Sequence, residues 1–294
     1  MNPGFNKFLM RLRMESREEE NRCKPPIDSP DIVQTADYVF ARFSEPEGDS
    51  GRLLVAKQKS NRKVQYLVKH EYTDCACNEF VYTKLAQAMG YCMPDAVLFQ
   101  LSTGEKRTYF KTEYIIGERL LNVVNAAPTY AEIREKAENW QQYFCFYGLY
   151  AMLLESDGLE VLLADDHRIY RVDTTDAFLI SNLELDQAAI RHEFYGSIPY
   201  EAIKKHLLSM NFDRVFDRDN CERILSGCLA TDSKCLSFFL EPFQRIHEIS
   251  DDYIDNFLNT LCYFYPDYIG EYFKRYLATL KKHCAIYYKE KIGE

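Results

Sequence analysis

The sequence predicts an α+β protein in which a β-rich first part precedes a larger helical part. Between residues 33 and 117, short strand-like runs alternate with turn sequences such as EPEGDSG and SNRK, and a single helix interrupts them. From residue 130 onwards the apolar residues recur at helical spacing. One further β-hairpin, flanked by acidic residues, is predicted inside the helical part.

Length, charge and cysteine content restrict the classes of protein that this chain can belong to. With 294 residues it can bury one large core or two smaller cores packed across a cleft. Its net charge of −9 excludes nucleic acid as a partner attracted by bulk charge. No apolar run reaches the roughly 18 residues of a membrane span, and we identify no secretory signal.

The cysteines indicate a reducing compartment. The chain has ten cysteines but no CxxC pair, and Cys221, Cys228 and Cys235 repeat every seven residues, which is the spacing of one helical face. We interpret them as small buried residues and not as disulfide partners or metal ligands. A cytoplasmic protein is therefore expected.

The β-rich part is predicted to contain five strands and one helix. The strands are Tyr38–Phe43, Arg52–Lys57, Val64–His70, Ala96–Leu101 and Arg107–Ile115. The helix has the sequence CACNEFVYTKLAQAMG, with an apolar stripe of Phe80, Leu85 and Met89 and a C-terminal stop at Gly90. Gly117 is expected to break the last strand.

The helical part is predicted to begin with one long helix, Glu132–Leu154. Ser250 and Pro266 are residue types that favour helix N-termini. The later helices are Tyr200–Met210, Asp219–Gly227, Cys235–Ile246, Asp251–Tyr263 and Pro266–Lys289. We expect three regions: a terminal helix and linker over 1–34, a sheet unit over 35–117 and a helical unit over 118–294.

Two aspartates flank the predicted hairpin in the segment SDGLEVLLADDHRIYRVDTTDAF. Asp157 precedes the strand Val161–Ala164, and Asp173 follows the strand Arg168–Val172. Such a hairpin can point both carboxylates into one cleft, as metal-assisted phosphoryl transfer requires. Each aspartate alone also fits a turn or surface position, so the hairpin by itself leaves both interpretations open.

A lysine and a glutamate in the β-rich part add to this pattern. Lys69 lies on the third predicted strand and Glu79 on the following helix, ten residues later. A helix packed on the sheet can bring the two together and hold the ammonium towards the phosphates of a nucleotide. A surface ion pair is the commoner outcome for such residues, but the order of strand lysine, helix glutamate and paired aspartates is more specific.

Three segments resemble the HipA-like kinases, bacterial proteins with the protein-kinase-like fold. KHEYTDCACNEFVYTKLAQAMGYCMPDAVLF resembles the small-lobe core, and RIYRVDTTDAF resembles the metal-binding Asp segment. QRIHEISDDYIDNFLNTLCYFYPDYIGEYFKRYL resembles the paired-helix tail of the large lobe. The resemblance implies a two-lobed fold: a small antiparallel-sheet N-lobe with one helix over 35–117, and a larger, mostly helical C-lobe over 118–294.

The resemblance also implies how a nucleotide is bound. Lys69 would bind the α- and β-phosphates of ATP, and Glu79 would position this lysine. Glu113, Tyr114 and Ile115 would form the hinge, whose backbone N–H and C=O groups contact adenine.

The acidic segment would supply the catalytic base and the metal ligands. By resemblance, Asp157 is the base and Asp173 chelates Mg²⁺ or Mn²⁺. Kinases of this type place an Asn five residues after the base, where this chain has Leu162. Aligning the strands puts Glu160 in that place, and its carboxylate is an oxygen ligand suited to Mg²⁺ or Mn²⁺.

Three functions are compatible with these residues. The resemblance implies an ATP- and Mg²⁺-dependent kinase that phosphorylates a Ser or Thr hydroxyl of a protein. The altered loop Gly158–Val161 and the acidic turn Glu45–Gly51 favour an alternative, a pseudokinase that acts as a nucleotide- or protein-binding scaffold. A third possibility is a small-molecule phosphotransferase, because a fold does not determine the substrate.

Overall fold

The β-rich part forms a six-stranded sheet in the computed structural model, which describes residues 29–42, 53–69, 73–100, 116–178, 208–209, 212–263 and 267–293. The strands are β1 (Ile32–Gln34), β2 (Tyr38–Arg42), β3 (Leu54–Gln58), β4 (Gln65–Lys69), β5 (Ala96–Gln100) and β6 (Ile116–Arg119). Their order is β1-β5-β6-β4-β3-β2. Only β1 and β5 pair in parallel; the other neighbours are antiparallel.

One face of this sheet carries an aromatic cluster around Phe99. The ring of Phe99 makes edge contacts with those of Tyr38, Phe40 and Tyr66 at centroid distances of 5.2, 5.6 and 6.0 Å. Gly117 lies within β6, so the prediction that it breaks the strand is wrong. A Cβ atom at Gly117 would come within 2.4 Å of the Phe99 ring, which explains why this strand position is a glycine.

The helix of the β-rich part, α1 (Thr73–Ala88), is present as predicted. Phe80 and Leu85 are fully buried and Met89 nearly so, as their spacing indicates. Gly90 follows with a positive φ of 85°, a left-handed conformation that ends helices and favours glycine. The predicted helix stop is therefore confirmed.

The helical part contains six α-helices among the described residues. They are α2 (Tyr130–Lys136), α3 (Gln142–Met152), α4 (Arg218–Thr231), α5 (Leu236–Arg245), α6 (Asp251–Cys262) and α7 (Asp267–Ile292). The last four confirm the predicted helices, with shifts of a few residues at their ends. The predicted strand Arg107–Ile115 lies outside the described residues, as does the helix Tyr200–Met210 except for residues 208 and 209.

The prediction of one helix over Glu132–Leu154 is wrong, because the chain breaks between α2 and α3. At the break, the side chain of Asn139 exchanges two hydrogen bonds with the backbone of Ile169: Nδ2 donates to the carbonyl oxygen at 3.0 Å, and Oδ1 accepts from the N–H at 2.9 Å. The N–H of Glu138 also donates to the carbonyl oxygen of His167. The hairpin thus supplies hydrogen bonds that continuation of the helix would prevent.

The core of the helical part is centred on α3. Phe144, Phe146 and Leu149 are buried there. Gly148 allows a close approach to α5, because a Cβ atom at this position would lie 2.2 Å from the carbonyl oxygen of Phe239. No helix in the described ranges is both long enough and apolar enough to cross a membrane.

The three cysteines at seven-residue spacing line this core. Cys221, Cys228 and Cys235 are buried free thiols, which confirms their interpretation as small buried residues. Burial raises the pKa of Cys221 to about 12 and that of Cys228 to about 12, so both thiols stay protonated at neutral pH.

The predicted acidic hairpin forms part of a second sheet. Its strands are β8 (Glu160–Ala164) and β9 (Ile169–Val172), which pair antiparallel across the turn at Asp165–His167. A short strand that was not predicted, β7 (Val123–Asn125), pairs with β8. Because Glu160 faces Val172 across the hairpin, residues just before β8 and just after β9 meet at its open end.

Candidate active site

Lys69, the last residue of β4, is surrounded by three carboxylates. Its Nζ atom lies 2.5 Å from Glu79 Oε1 on α1 and 3.6 Å from Glu118 Oε2 on β6. A third oxygen, Asp173 Oδ1 at the end of the acidic hairpin, lies 3.4 Å away. The structure therefore brings together three of the residues singled out from the sequence and adds Glu118.

The strand register explains why Glu118 joins this cluster. Strands β4 and β6 are antiparallel, with Lys69 opposite Ile116 and Leu67 opposite Glu118. Side chains two positions apart on a strand share one face, so Lys69 and Glu118 both point towards α1. The four residues of β6, Ile-Gly-Glu-Arg, do not alternate between apolar and polar types, so the sequence carried no periodic signal for Glu118.

The cluster is buried and carries more negative than positive charge. Lys69 is 7% exposed, Glu118 4% and Glu79 fully buried. Burial opposes the charge of Lys69, but the carboxylates of Glu118 and Glu79 raise its pKa well above the usual range, so it stays charged. Burial and the nearby Glu118 raise the pKa of Glu79 well above its ordinary value, against the attraction of Lys69.

Unsatisfied oxygens agree with a proton retained on Glu79. Neither Glu79 Oε2 nor Glu118 Oε1 has a hydrogen-bond donor among the described residues, and both atoms are buried. A buried acceptor without a donor costs free energy. A proton retained on Glu79 would supply a donor, which is consistent with the direction of its pKa shift.

We expect the stability of the protein to fall between about pH 5 and pH 8, partly because of Glu79. A carboxyl group with a raised folded-state pKa stabilises below its unfolded pKa of about 4.3, and this contribution is lost as pH rises towards the folded value. Glu118→Gln removes a charge that opposes ionisation of Glu79. The variant should show a flatter pH dependence and gain about 1 kcal/mol at pH 8, measured by urea unfolding.

A matched control for this variant is Glu271→Gln. Glu271 is half-exposed on α7 and pairs with Arg275 at the surface. Its substitution should change the free energy of unfolding at pH 8 by less than about 0.5 kcal/mol. A pH dependence of Glu118→Gln equal to that of the wild type would contradict the charge assignment of the cluster.

Asp173 occupies an unusual backbone conformation where β9 ends. Its φ of 56° lies in the left-handed region, which few residues other than glycine adopt, although aspartate is among those that tolerate it best. Its side chain is 43% exposed. The following turn is attached to α1, because Asn78 Nδ2 donates to the carbonyl oxygen of Thr175 at 2.9 Å.

Glu160 and Asp157 lie at the same open end of the hairpin. Burial and the charge of Asp173 raise the pKa of Glu160 above its ordinary value. Asp157 is exposed, and its Oδ1 accepts a hydrogen bond of 2.8 Å from the N–H of Gly158. Asp165 and Asp166 lie in the turn at the other end of the hairpin. They are therefore separated from the carboxylates of Asp157, Glu160 and Asp173 at its open end.

The open end of the hairpin carries carboxylates of the kind that would hold a metal ion. Within the described ranges, no group of three or more His, Cys, Asp or Glu side chains is arranged to hold a metal. Mg²⁺ is commonly held by only one or two carboxylates together with substrate phosphates. Glu160 and Asp173 offer two such carboxylates, and a cation between them would relieve the repulsion that contributes to the raised pKa of Glu160.

The residues predicted to contact adenine, Glu113, Tyr114 and Ile115, lie outside the described residues, as does the turn Glu45–Gly51. The structure does show that β6 continues to Arg119. The chain then passes to the second sheet through Leu120–Asn122, where the N–H of Leu120 donates to the carbonyl oxygen of Gln65.

Comparisons with known proteins agree with a kinase-like architecture. No protein-family model and no curated protein matches the sequence. Among solved structures, the Helicobacter pylori proinflammatory kinase CtkA is similar, with a TM-score of 0.51 and 12% identity. The match covers 88% of this chain and 98% of that chain.

At this identity the likeness shows the fold alone. The lobe boundaries at residues 34 and 117 stay a prediction, as do the membership of the HipA-like family and the cytoplasmic location. The chain has a two-lobed protein-kinase-like fold.

Proposed function

We propose that the protein is a HipA-like kinase that transfers the γ-phosphate of ATP to a Ser or Thr hydroxyl of a protein substrate. The observation that carries this proposal is the convergence on Lys69 of Glu79 at 2.5 Å and Asp173 at 3.4 Å. Lys69 and Glu79 are ten residues apart, whereas Asp173, at the end of the hairpin, follows Lys69 by 104 residues. A buried lysine next to a metal-binding acid is what phosphoryl transfer requires.

Each residue has a distinct role in this proposal. Lys69 binds the α- and β-phosphates, and Glu79 holds its ammonium in place. Asp173 and Glu160 would hold Mg²⁺ or Mn²⁺, which when bound neutralises charge on the transferred phosphate. Asp157, exposed at the open end of the hairpin, orients the acceptor hydroxyl or removes its proton.

Adenine recognition is a further part of the proposal. Glu113, Tyr114 and Ile115 were assigned to it by resemblance. The connection after β6, Leu120–Asn122, is a second candidate, because it joins the two sheets. The N–H of Leu120 and the carbonyl oxygen of Asn122 are already hydrogen-bonded, so in this segment the backbone groups of Leu121 would contact the purine.

The charge balance around Lys69 favours one alternative function. Glu79, Glu118 and Asp173 surround a single ammonium group, and burial limits screening by solvent. A polyphosphate entering this cluster meets excess negative charge unless protons or cations compensate. A pseudokinase that binds a partner protein and little nucleotide is therefore the second candidate.

A thermal-shift titration with ATP separates the two candidates. Ligand that binds only the folded protein stabilises it by about 2.7 kcal/mol at one hundred times its Kd. We expect millimolar ATP with Mg²⁺ to raise the Tm. Mg²⁺ alone should have little effect, and ATP with EDTA should give a smaller shift, because the carboxylates need the cation to accept phosphate.

Direct transfer is then measured with radiolabelled γ-phosphate and the full chain. Labelled phosphoserine or phosphothreonine on the chain itself or on an added protein substrate would agree with kinase activity. The absence of any Tm shift at millimolar ATP and Mg²⁺ would contradict it and support the scaffold.

A further inference from the structure

Arg171, in the second half of β9, is fully buried beneath the loop Ser156–Glu160, which we call the acidic loop. It is among the largest side chains with no exposed surface in the described part of the chain. Arginine is almost never fully buried unless its charge is paired. It lies two residues before Asp173, and none of the roles proposed above uses it.

The guanidinium of Arg171 connects both sides of the loop that precedes β8. Its Nη2 atom forms an ion pair with Glu155 and lies 3.5 Å from the carbonyl oxygen of Gly158. Its Nη1 atom donates to the carbonyl oxygen of Glu160 at 3.0 Å and to that of Val172. One planar group thus contacts the carboxylate of Glu155, before the proposed base, and the backbone carbonyls of Gly158 and Glu160, after it. It also contacts the backbone of the residue before the proposed metal ligand.

A tyrosine connects this arrangement to helix α1. The hydroxyl of Tyr82 donates to Glu155 Oε1 at 2.7 Å, and both residues are buried. Tyr82 follows Glu79 by about one helical turn. Burial and the charge of Glu155 raise the pKa of Tyr82 well above its usual range, so the hydroxyl remains a donor.

Stability alone does not explain this buried network. Replacing a buried ion pair by packed apolar residues is often neutral or stabilising. Arg171 Nε is buried without a hydrogen-bond partner in the described ranges, which adds a cost. An arginine fork does, however, fix several acceptors in one plane, which apolar packing does not.

We propose that Arg171 positions the loop Ser156–Glu160 against Asp173, and that Tyr82 makes this position depend on the placement of α1. The functional part rests on the proposed kinase activity. The same helix carries Glu79, so the phosphate-binding lysine and the acidic loop would be aligned together. A displacement of about 1 Å at such a site can reduce turnover about a hundredfold.

Tyr82→Phe tests the connection because it removes only a hydroxyl group. We expect kcat for phosphate transfer to fall about tenfold, with KM for ATP unchanged within about twofold. The control is Tyr276→Phe, another fully buried tyrosine, whose hydroxyl lies 3.4 Å from the carbonyl oxygen of Val215. This control should retain the wild-type kcat.

Arg171→Lys tests the fork. A lysine keeps the charge next to Glu155 but cannot reach the separate carbonyl oxygens at the same time. We expect kcat to fall at least as far as in Tyr82→Phe, because the retained positive charge of the lysine does not restore the position of the loop.

Amide hydrogen exchange, followed by mass spectrometry, gives a readout that does not need activity. In both variants the peptide covering residues 155–160 should exchange about tenfold faster, while peptides from α7 and the Tyr276→Phe control should not change. Unchanged exchange in this peptide would overturn the proposal, as would faster exchange throughout the chain. If the wild type transfers no phosphate and the loop still exchanges faster in the variants, the kinase assignment fails and the positioning role stands.

Discussion

Asp173→Ala should reduce phosphate transfer by about a thousandfold. Asp173 is the acid that connects the hairpin with Lys69, at 3.4 Å, and it is the proposed principal metal ligand. The fold should persist because the side chain is 43% exposed. Alanine at a φ of 56° adds about 1 kcal/mol of backbone strain. Transfer of labelled γ-phosphate measures the first effect, and urea unfolding the second.

Asp173→Asn separates charge from backbone strain. Asparagine tolerates the left-handed conformation, so this variant should be nearly as stable as the wild type and equally inactive. Asp166→Ala is the matched control, since Asp166 is exposed in the turn of the same hairpin and accepts a hydrogen bond of 3.1 Å from the N–H of Arg168. Phosphate transfer that persists in Asp173→Ala would remove this residue from the proposed mechanism.

Lys69→Met should destabilise the protein by about 3 to 5 kcal/mol at pH 7, because it leaves the carboxylates of Glu79 and Glu118 buried without a cation. The loss should be smaller at pH 5 than at pH 8, since protonation removes the unpaired charge. The variant should also lose the Tm shift caused by ATP and Mg²⁺. Urea unfolding across this pH range and a thermal-shift titration measure the two effects.

A triple variant separates stability from nucleotide binding. Lys69→Met combined with Glu79→Gln and Glu118→Gln has no buried charge left in the cluster, so most of the lost stability should return. Nucleotide binding should not return, because the ammonium is still missing. If Lys69→Met alone were as stable as the wild type, the buried carboxylates of Glu79 and Glu118 would not need the lysine as a counterion.

Glu118 has a position that affects both candidate functions. As a kinase residue it would help hold Lys69 in place while opposing the entry of phosphate. In a scaffold the same carboxylate simply completes a closed ion cluster. Glu118→Gln therefore has value beyond stability: increased affinity for ATP with Mg²⁺ would indicate that the glutamate limits nucleotide binding.

Local sequence patterns determined the elements that carry the site. The spacing of Phe80, Leu85 and Met89 indicated α1, and the two β-type runs around Asp165–His167 indicated the hairpin. Such elements are predictable because periodicity and turn chemistry depend on residues close together in the sequence. The ten-residue separation of Lys69 and Glu79 was sufficient to suggest their contact.

Patterns that depend on distant residues were misread. The break after α2 follows from two hydrogen bonds between Asn139 and Ile169, thirty residues apart. The continuation of β6 through Gly117 depends on the ring of Phe99, on a neighbouring strand. Neither partner can be identified from the segment that it changes, so helix and strand signals alone led to the wrong boundaries.

The order of elements, the pairing of Lys69 with Glu79 and the two aspartates around the hairpin could all be predicted from the sequence alone. The contact of Glu118 with Lys69 and the burial of Arg171 under the loop Ser156–Glu160 are visible in the three-dimensional structure and not in the sequence. The physical reason is that burial and charge pairing depend on which segments meet. A charged residue in a strand sequence is normally expected at the surface, and only the packing of other segments around it shows that it is buried.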